Sequence, residues 1–323
     1  MELVTDPVGH APVRRLNSVR RTSSLDTTWP DGREGNLRME GRCRDLKTGA
    51  ELNQHEVARY DAMVASLTWE RLIERVENDR VDLTALVGAR GGGHLRAVLD
   101  EHIHEERVNG TPLYLVLDDI SGASLVSGWA WSQWEHLIPA EEMTTSGFEE
   151  ARKFMENVCH GFTTGFSALS ATAPPRNNPP VVDLLNPADA ESWHELPAID
   201  SVNFRRARRI DVWVEGDDIA VDVGFQDSAS TPDGGRVAIH EYEVEARADR
   251  ASGVLKSVGA TPHILPFPEC PGAVNNIHEM VGTPLVEMRA AVIDKLPGTK
   301  GCTHLNDLLR GLAEVPALAD LLD

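Results

Sequence analysis

The chain is poor in cysteine, in aromatic side chains and in positive charge, and it has no long apolar run. Its four cysteines (Cys43, Cys159, Cys270, Cys302) lie too far apart for the close spacings of a disulfide framework, so free thiols or metal ligands are the expectation. No stretch approaches the roughly 18 apolar residues of a membrane span, and no apolar core of a secretory signal follows the first residues. A reduced, cytoplasmic protein is expected. Against 51 acidic side chains stand only 31 basic ones, a formal charge of -20 that repels a phosphate backbone and an anionic membrane surface. Nucleic acid and membrane are therefore excluded as expected partners, which leaves a small-molecule ligand, with homo-oligomerisation open.

What is present is organised around Gly298 to Leu312, where Cys302-Thr303-His304 stands directly before an amphipathic run. At 323 residues the chain has room for two modest domains or one with a large insertion. Residues 1–17 read as a flexible lead-in. Alternating runs from Val19 to Trp29 and from Leu37 to Leu46, broken at Pro30-Asp31-Gly32, predict a β-hairpin. Over 54–172 helical spacing dominates, starting with Val57, Tyr60, Val64, Leu67 and continuing with a helix over about 149–169. The continuous apolar run Leu113 to Ile120 is read as helical, although a buried strand has the same pattern. Ala173 to Pro180 carries four prolines and opens a linker over 173–199. Beyond it Ile210–Val214, Ile219–Val223, 236–247 and 254–264 predict a four-stranded meander, followed by helices to the end. The expected fold is α+β: an antiparallel sheet from the N-terminal hairpin and the meander (18–53 and 200–323), closed by C-terminal helices, with a mainly helical insertion.

Three constellations could carry chemistry. Cys270, Cys302 and His304, with His240, offer thiolates and imidazoles to Zn²⁺. Alternatively Cys302 is a nucleophile lowered in pKa by a helix N-terminus and His240, or the thiols simply pack while Thr303 or Asn306 caps the helix. His94, His102, His104 and Glu106 follow Gly91-Gly92-Gly93, but His-x-His-Glu-Glu is not the zincin pattern and the glycines lack a Lys-Ser/Thr ending. Asp118-Asp119, near Trp129, Trp131 and Trp134 and with Cys159-His160 further on, either cap a turn or face a cleft as acid and base. Asp-Asp-Ile-Ser-Gly lacks the third carboxylate of a prenyl-diphosphate motif, and neither a Gly-x-Ser-x-Gly elbow nor a dinucleotide fingerprint occurs. Arg20 and Arg21, like the crowd at Arg205, Arg206, Arg208 and Arg209, either offset the acidic remainder or grip an anionic ligand.

The pieces Arg20-Arg21-Thr22, Gly41 to Lys47, Ile239-His240-Glu241, Pro268-Glu269-Cys270-Pro271 and Gly301 to Leu309 resemble an uncharacterised bacterial domain-of-unknown-function family. That family begins with an arginine-rich hairpin and ends in a Gly-Cys-Thr-His-Leu signature. The helical block is similar to that of its longer, actinobacterial-type members. The resemblance implies a fold and a motif set and no reaction. The function expected from the residues is a cytoplasmic enzyme, lyase or hydrolase in type, doing acid/base chemistry on a small organic molecule, aromatic ones included. Asp118, Asp119, His160, His240, Cys302 and His304 are its candidate catalytic groups, and Arg20, Arg21, Trp129 and Trp131 would bind substrate. No organic cofactor is expected, and zinc is admitted. The alternative is a non-catalytic small-molecule-binding or assembly module.

Overall fold

The computed structural model describes residues 6–137, 154–170 and 177–322. Eight antiparallel strands form one open sheet: β1 (Ser18–Thr28), β2 (Leu37–Thr48), β3 (His55–Leu67), β4 (Ile73–Glu77), β5 (Asn203–Glu215), β6 (Asp218–Ser230), β7 (Arg236–Asp249) and β8 (Leu255–Ile264). Their order is β4-β3-β2-β1-β5-β6-β7-β8. The expected hairpin and meander are both there, joined through β1 and β5 from Ser18↔Trp213 to Thr28↔Asn203. Gly216, with φ 65°, opens the two-residue turn between β5 and β6, where a left-handed first residue matches the strand twist.

The helical reading of 57–76 is corrected, because β3 and β4 extend the sheet instead. Val57 and Tyr60 are exposed, while Asp61, Met63, Ala65 and Leu67 are buried with a period of two. The apolar residues happen to fall at helical spacing, and the true alternation runs through a carboxylate and an alanine. Helices begin only with α1 (Leu95–His102), α2 (His104–Val108) and α3 (Pro112–Val126), followed by a 3₁₀ segment at Ser127–Gln133. Helix α3 starts where Thr111 accepts a hydrogen bond from the Tyr114 amide and proline occupies the first turn. Of the helix expected over 149–169, residues 149–153 lie outside the described residues. The rest contains 3₁₀ turns at His160–Phe162 and Ser167–Leu169. In the expected linker, residues 173–176 also lie outside the described residues. The chain ends in α4 (Met288–Lys295), α5 (Thr303–Gly311) and α6 (Val315–Ala319). These and α3 cover one face of the sheet. On the other face, Arg14 of the expected flexible lead-in is buried against Asp189, and the Ala11 amide donates to Leu184.

Strands β1 and β5 are buried along almost their whole length, so their arginines are inside. Under the helices an unbroken ionic chain runs from Asp45 through Arg21 (2.6 Å), Glu314 (2.7 Å), Arg289, Asp118 (2.7 Å), Arg96, Asp307, Arg206 (3.0 Å) and Asp227 (2.9 Å). Arg208 joins it through Asp119 at 2.6 Å, and Arg310 through Asp118 at 3.4 Å. Arg20, Arg205 and Arg209 are likewise paired with Asp211, Asp26 and Asp222 on the opposite face. Buried pairs add little net stability, but losing one partner strands the other charge at a cost of about 3–5 kcal/mol.

The network sets an acid limit. Burial opposes ionisation of Asp118 and Asp211, but Arg96, Arg310 and Arg289 hold the first well below the usual carboxylate range, and Arg209 and Arg20 lower the second. A folded pKa below the unfolded value of about 3.9 contributes stability that is complete at neutral pH and is lost as pH falls below about 4. The urea midpoint is therefore expected to fall steeply from pH 4 towards pH 3; a midpoint unchanged at pH 3 would contradict ionised Asp118 and Asp211.

Candidate metal centre

The inward face of β6 reads Val221, Val223, Phe225, Asp227, three apolar residues and then a carboxylate in the same register. Asp227 is paired with His240 on β7, next to an irregularity at Asp227/Ser228, a device that re-aims side chains. The third member comes from α5. Gly301 precedes it because a Cβ there would lie 2.6 Å from the Leu296 carbonyl oxygen. Cys302 is the N-cap residue, and it is its carbonyl that accepts from the Asn306 amide at 2.7 Å; neither Thr303 nor Asn306 is the cap. Leu305, Leu308, Leu309 and Leu312 then pin the helix to the core, which sets His304 over the sheet.

His240 and His304 stack with ring centroids 3.5 Å apart and planes 17° from parallel. The Oδ2 of Asp227 is 3.5 Å from His240 Nδ1 and 3.5 Å from His304 Nε2. One ligand atom from each of the three residues falls within 4.8 Å of the others, and among the described residues this is the group that could hold a metal ion. Two ligands about 2.0–2.1 Å from a tetrahedral ion are about 3.4 Å apart, close to the two Asp–His separations, while the stacked rings must turn for both imidazoles to face one ion.

The electrostatics fit as well. Burial works against ionisation of Asp227, but Arg206, bonded to both its oxygens at 2.9 Å, and His240 hold its carboxyl well below the ordinary range. Asp307 and Asp119 offset the Arg206 charge. Burial, and then the adjacent His240, keep His304 well below its usual basicity, and a neutral imidazole is the ligand form. For Nε2 to bind, Nδ1 must carry the proton; it lies 3.3 Å from Thr303 Oγ1 and 3.9 Å from Cys302 Sγ.

The structure thus brings together His240 and His304 of the expected residues and adds Asp227. The expected metal set Cys270, Cys302, His304 does not converge; burial pushes the Cys270 thiol out of easy reach of ionisation and raises that of Cys302. Cys302 instead adjoins the hydroxyl of Tyr242. A nucleophilic thiolate is disfavoured on the same grounds. His160 has its Nδ1 3.0 Å from the Thr299 carbonyl and its Nε2 above Gly272, where a Cβ would be 2.2 Å away. Asp118 and Asp119 belong to the ionic chain; burial pushes the Asp119 carboxyl up to about 6, with Arg208 pulling the other way. Arg20 and Arg21 are saturated by Asp211, Asp45 and Glu314. Trp131 packs edge-on against Trp29 at 5.7 Å, and Trp129 lies beside it on the same 3₁₀ segment. Glu106 holds Arg80 and Thr111, and His104 meets Asp100.

Fold and site define an α+β protein with an open eight-stranded antiparallel sheet and a buried Asp/His/His cluster under its C-terminal helices. Residues 204–317 match the family model DUF2889, described as a protein of unknown function, and so carry a DUF2889 domain. The match spans about a third of the chain, includes all three members of the cluster, and leaves out β1 to β4 and α1 to α3. No curated protein and no solved structure matches the chain. Among the described residues no helix is long and apolar enough to cross a membrane.

Proposed function

We propose that this protein is a metal-dependent enzyme in which Asp227, His240 and His304 bind one divalent transition-metal ion for hydrolase- or lyase-type acid/base chemistry on a small organic molecule. The observation that carries the reading is that one carboxylate oxygen and two imidazole nitrogens, from β6, β7 and α5, lie within 4.8 Å of one another. Mixed oxygen and nitrogen donors suit Zn²⁺, Fe²⁺ or Mn²⁺, and three protein ligands, rather than four, are the pattern of centres that keep a position for water or substrate. An ion held there supplies Lewis acidity and acidifies a coordinated water towards neutral pH. Asp227 lends charge, Arg206 orients it, and His304, whose side chain is 15 % exposed against 0 % for Asp227, is the member through which solvent and substrate reach the centre.

A second reading, a structural centre locking α5 onto the sheet of a non-catalytic module, is supported by the burial of Asp227 and His240. Metal analysis of protein expressed without added chelator tests the proposal. Wild type is expected to carry close to one equivalent, and Asp227→Asn, His240→Ala and His304→Ala less than a tenth of that. Unchanged metal content in all three variants would overturn both readings. A structural centre is distinguished by a melting temperature that drops on metal removal with no exchangeable water detected at the ion.

A further inference from the structure

On the face of the sheet opposite the triad, Ala207 of β5 and Gly224 of β6 leave a depression where neighbouring positions carry long side chains. The N-terminal stretch Val8–Pro12 runs over it as a strap, Trp193 walls it, and Gln226 and Glu241 stand at one side. The volume of this partly open cavity is about 40 Å³, on a measure by which one water takes about 10–15 Å³.

Glu241 is the anomaly. It is 4 % exposed, and its two oxygens accept from neutral donors, the Val8 amide at 2.9 Å and the Gln226 amide at 2.9 Å. Every other buried carboxylate among the described residues has an arginine within salt-bridge distance. The nearby Arg209 is engaged by Asp211 and Asp222, and His263 by Glu243. A buried carboxylate needs a counter-ion, and beside Glu241 lies a cavity whose lining arginine, Arg209, is already held by two aspartates.

We infer that this cavity binds a small organic cation, a primary ammonium of methylammonium or ethylammonium size, with Glu241 as counter-ion and the strap as cover. Such a ligand fills a space of three to four waters, donates to the free lone pairs of Glu241 and rests against Trp193. The site is separate from the triad and stands whether or not a metal binds there.

Calorimetric titration of the full chain with methylammonium and ethylammonium chloride, with sodium chloride and potassium acetate as controls, tests the assignment. The ammonium salts are expected to give saturable binding that the controls lack, weakened at least about tenfold in Glu241→Gln, which keeps the side chain's shape but loses its charge. In wild type the same ligands are expected to slow hydrogen exchange of the amides of residues 8–11. Heats that match sodium chloride, or affinity retained in Glu241→Gln, would overturn the inference. If that variant does not fold, the wild-type exchange experiment decides, and unaltered exchange in the strap counts against the site.

Discussion

Asp307→Ala is expected to lower the stability of the folded protein by about 3–5 kcal/mol, a large share of the 5–15 kcal/mol typical of a folded domain. Asp307 sits on α5, 5 % exposed, with one oxygen on Arg96 and the other 3.0 Å from Arg206, while its backbone carbonyl accepts from Arg208 at 3.1 Å. Alanine leaves the fully buried Arg206 with Asp227 and the more distant Asp119, at 3.9 Å, and removes one of the two partners of Arg96. Arg206 is fully buried between α3 and the sheet. Glu77→Ala, breaking the exposed Arg75–Glu77 pair on an edge strand, is the control, expected within about 0.5 kcal/mol of wild type. Urea denaturation of the three proteins checks both, and equal losses in the two variants would show that the buried chain is not what holds α5 down.

Gly122→Ala should destabilise by about 1–3 kcal/mol or more, against the usual sign. In a helix interior alanine is favoured over glycine by about 1 kcal/mol. Here a Cβ would lie 2.0 Å from Arg206 Nη1 and 2.6 Å from Asp307 Oδ2. The guanidinium cannot swing away, because Nε and Nη2 are committed to Asp227 and Nη1 to Asp307. The cost is therefore either a displaced α3 or a broken ion pair. Since Arg206 also orients Asp227, the substitution is expected to weaken metal binding too. Gly128→Ala, where a Cβ meets nothing within 4 Å, is the control and should be neutral to stabilising. Thermal and urea unfolding of both variants decide it: a Gly122→Ala protein as stable as Gly128→Ala would mean that α3 does not press on the network.

The strands that read correctly did so because both signals agreed, alternation along the run and a turn residue such as Gly216 or Gly253 at its end. Strand β3 misled because Val57 and Tyr60 sit at the sheet's edge, exposed, where burial no longer selects hydrophobicity. Arginine in a strand reads as a surface or ligand-binding residue, and only the register shows each one aimed at a carboxylate contributed by another element. Helix α3 was legible as a helix, but its two aspartates serve arginines on β5, α1, α4 and α5, which no local pattern announces. For the site, the signature around Cys302 and His304 and the strand position of His240 pointed to the right neighbourhood. Asp227 was missed, although a carboxylate continuing the inward register Val221, Val223, Phe225 is a signal that could have found it. The thiols drew attention through their chemistry, whereas burial beside Tyr242 keeps them protonated.

Asp227, His240 and His304 are proposed to form one metal centre. Titrating metal-stripped protein with Co²⁺ and following the visible absorption of the bound ion tests it most directly. Saturation is expected at one equivalent, with a spectrum of nitrogen and oxygen ligation lacking an intense thiolate band, and loss of that signal in Asp227→Asn. A titration with no saturable visible band, or a strong sulfur-to-metal band that disappears in Cys302→Ser and persists in Asp227→Asn, would contradict it.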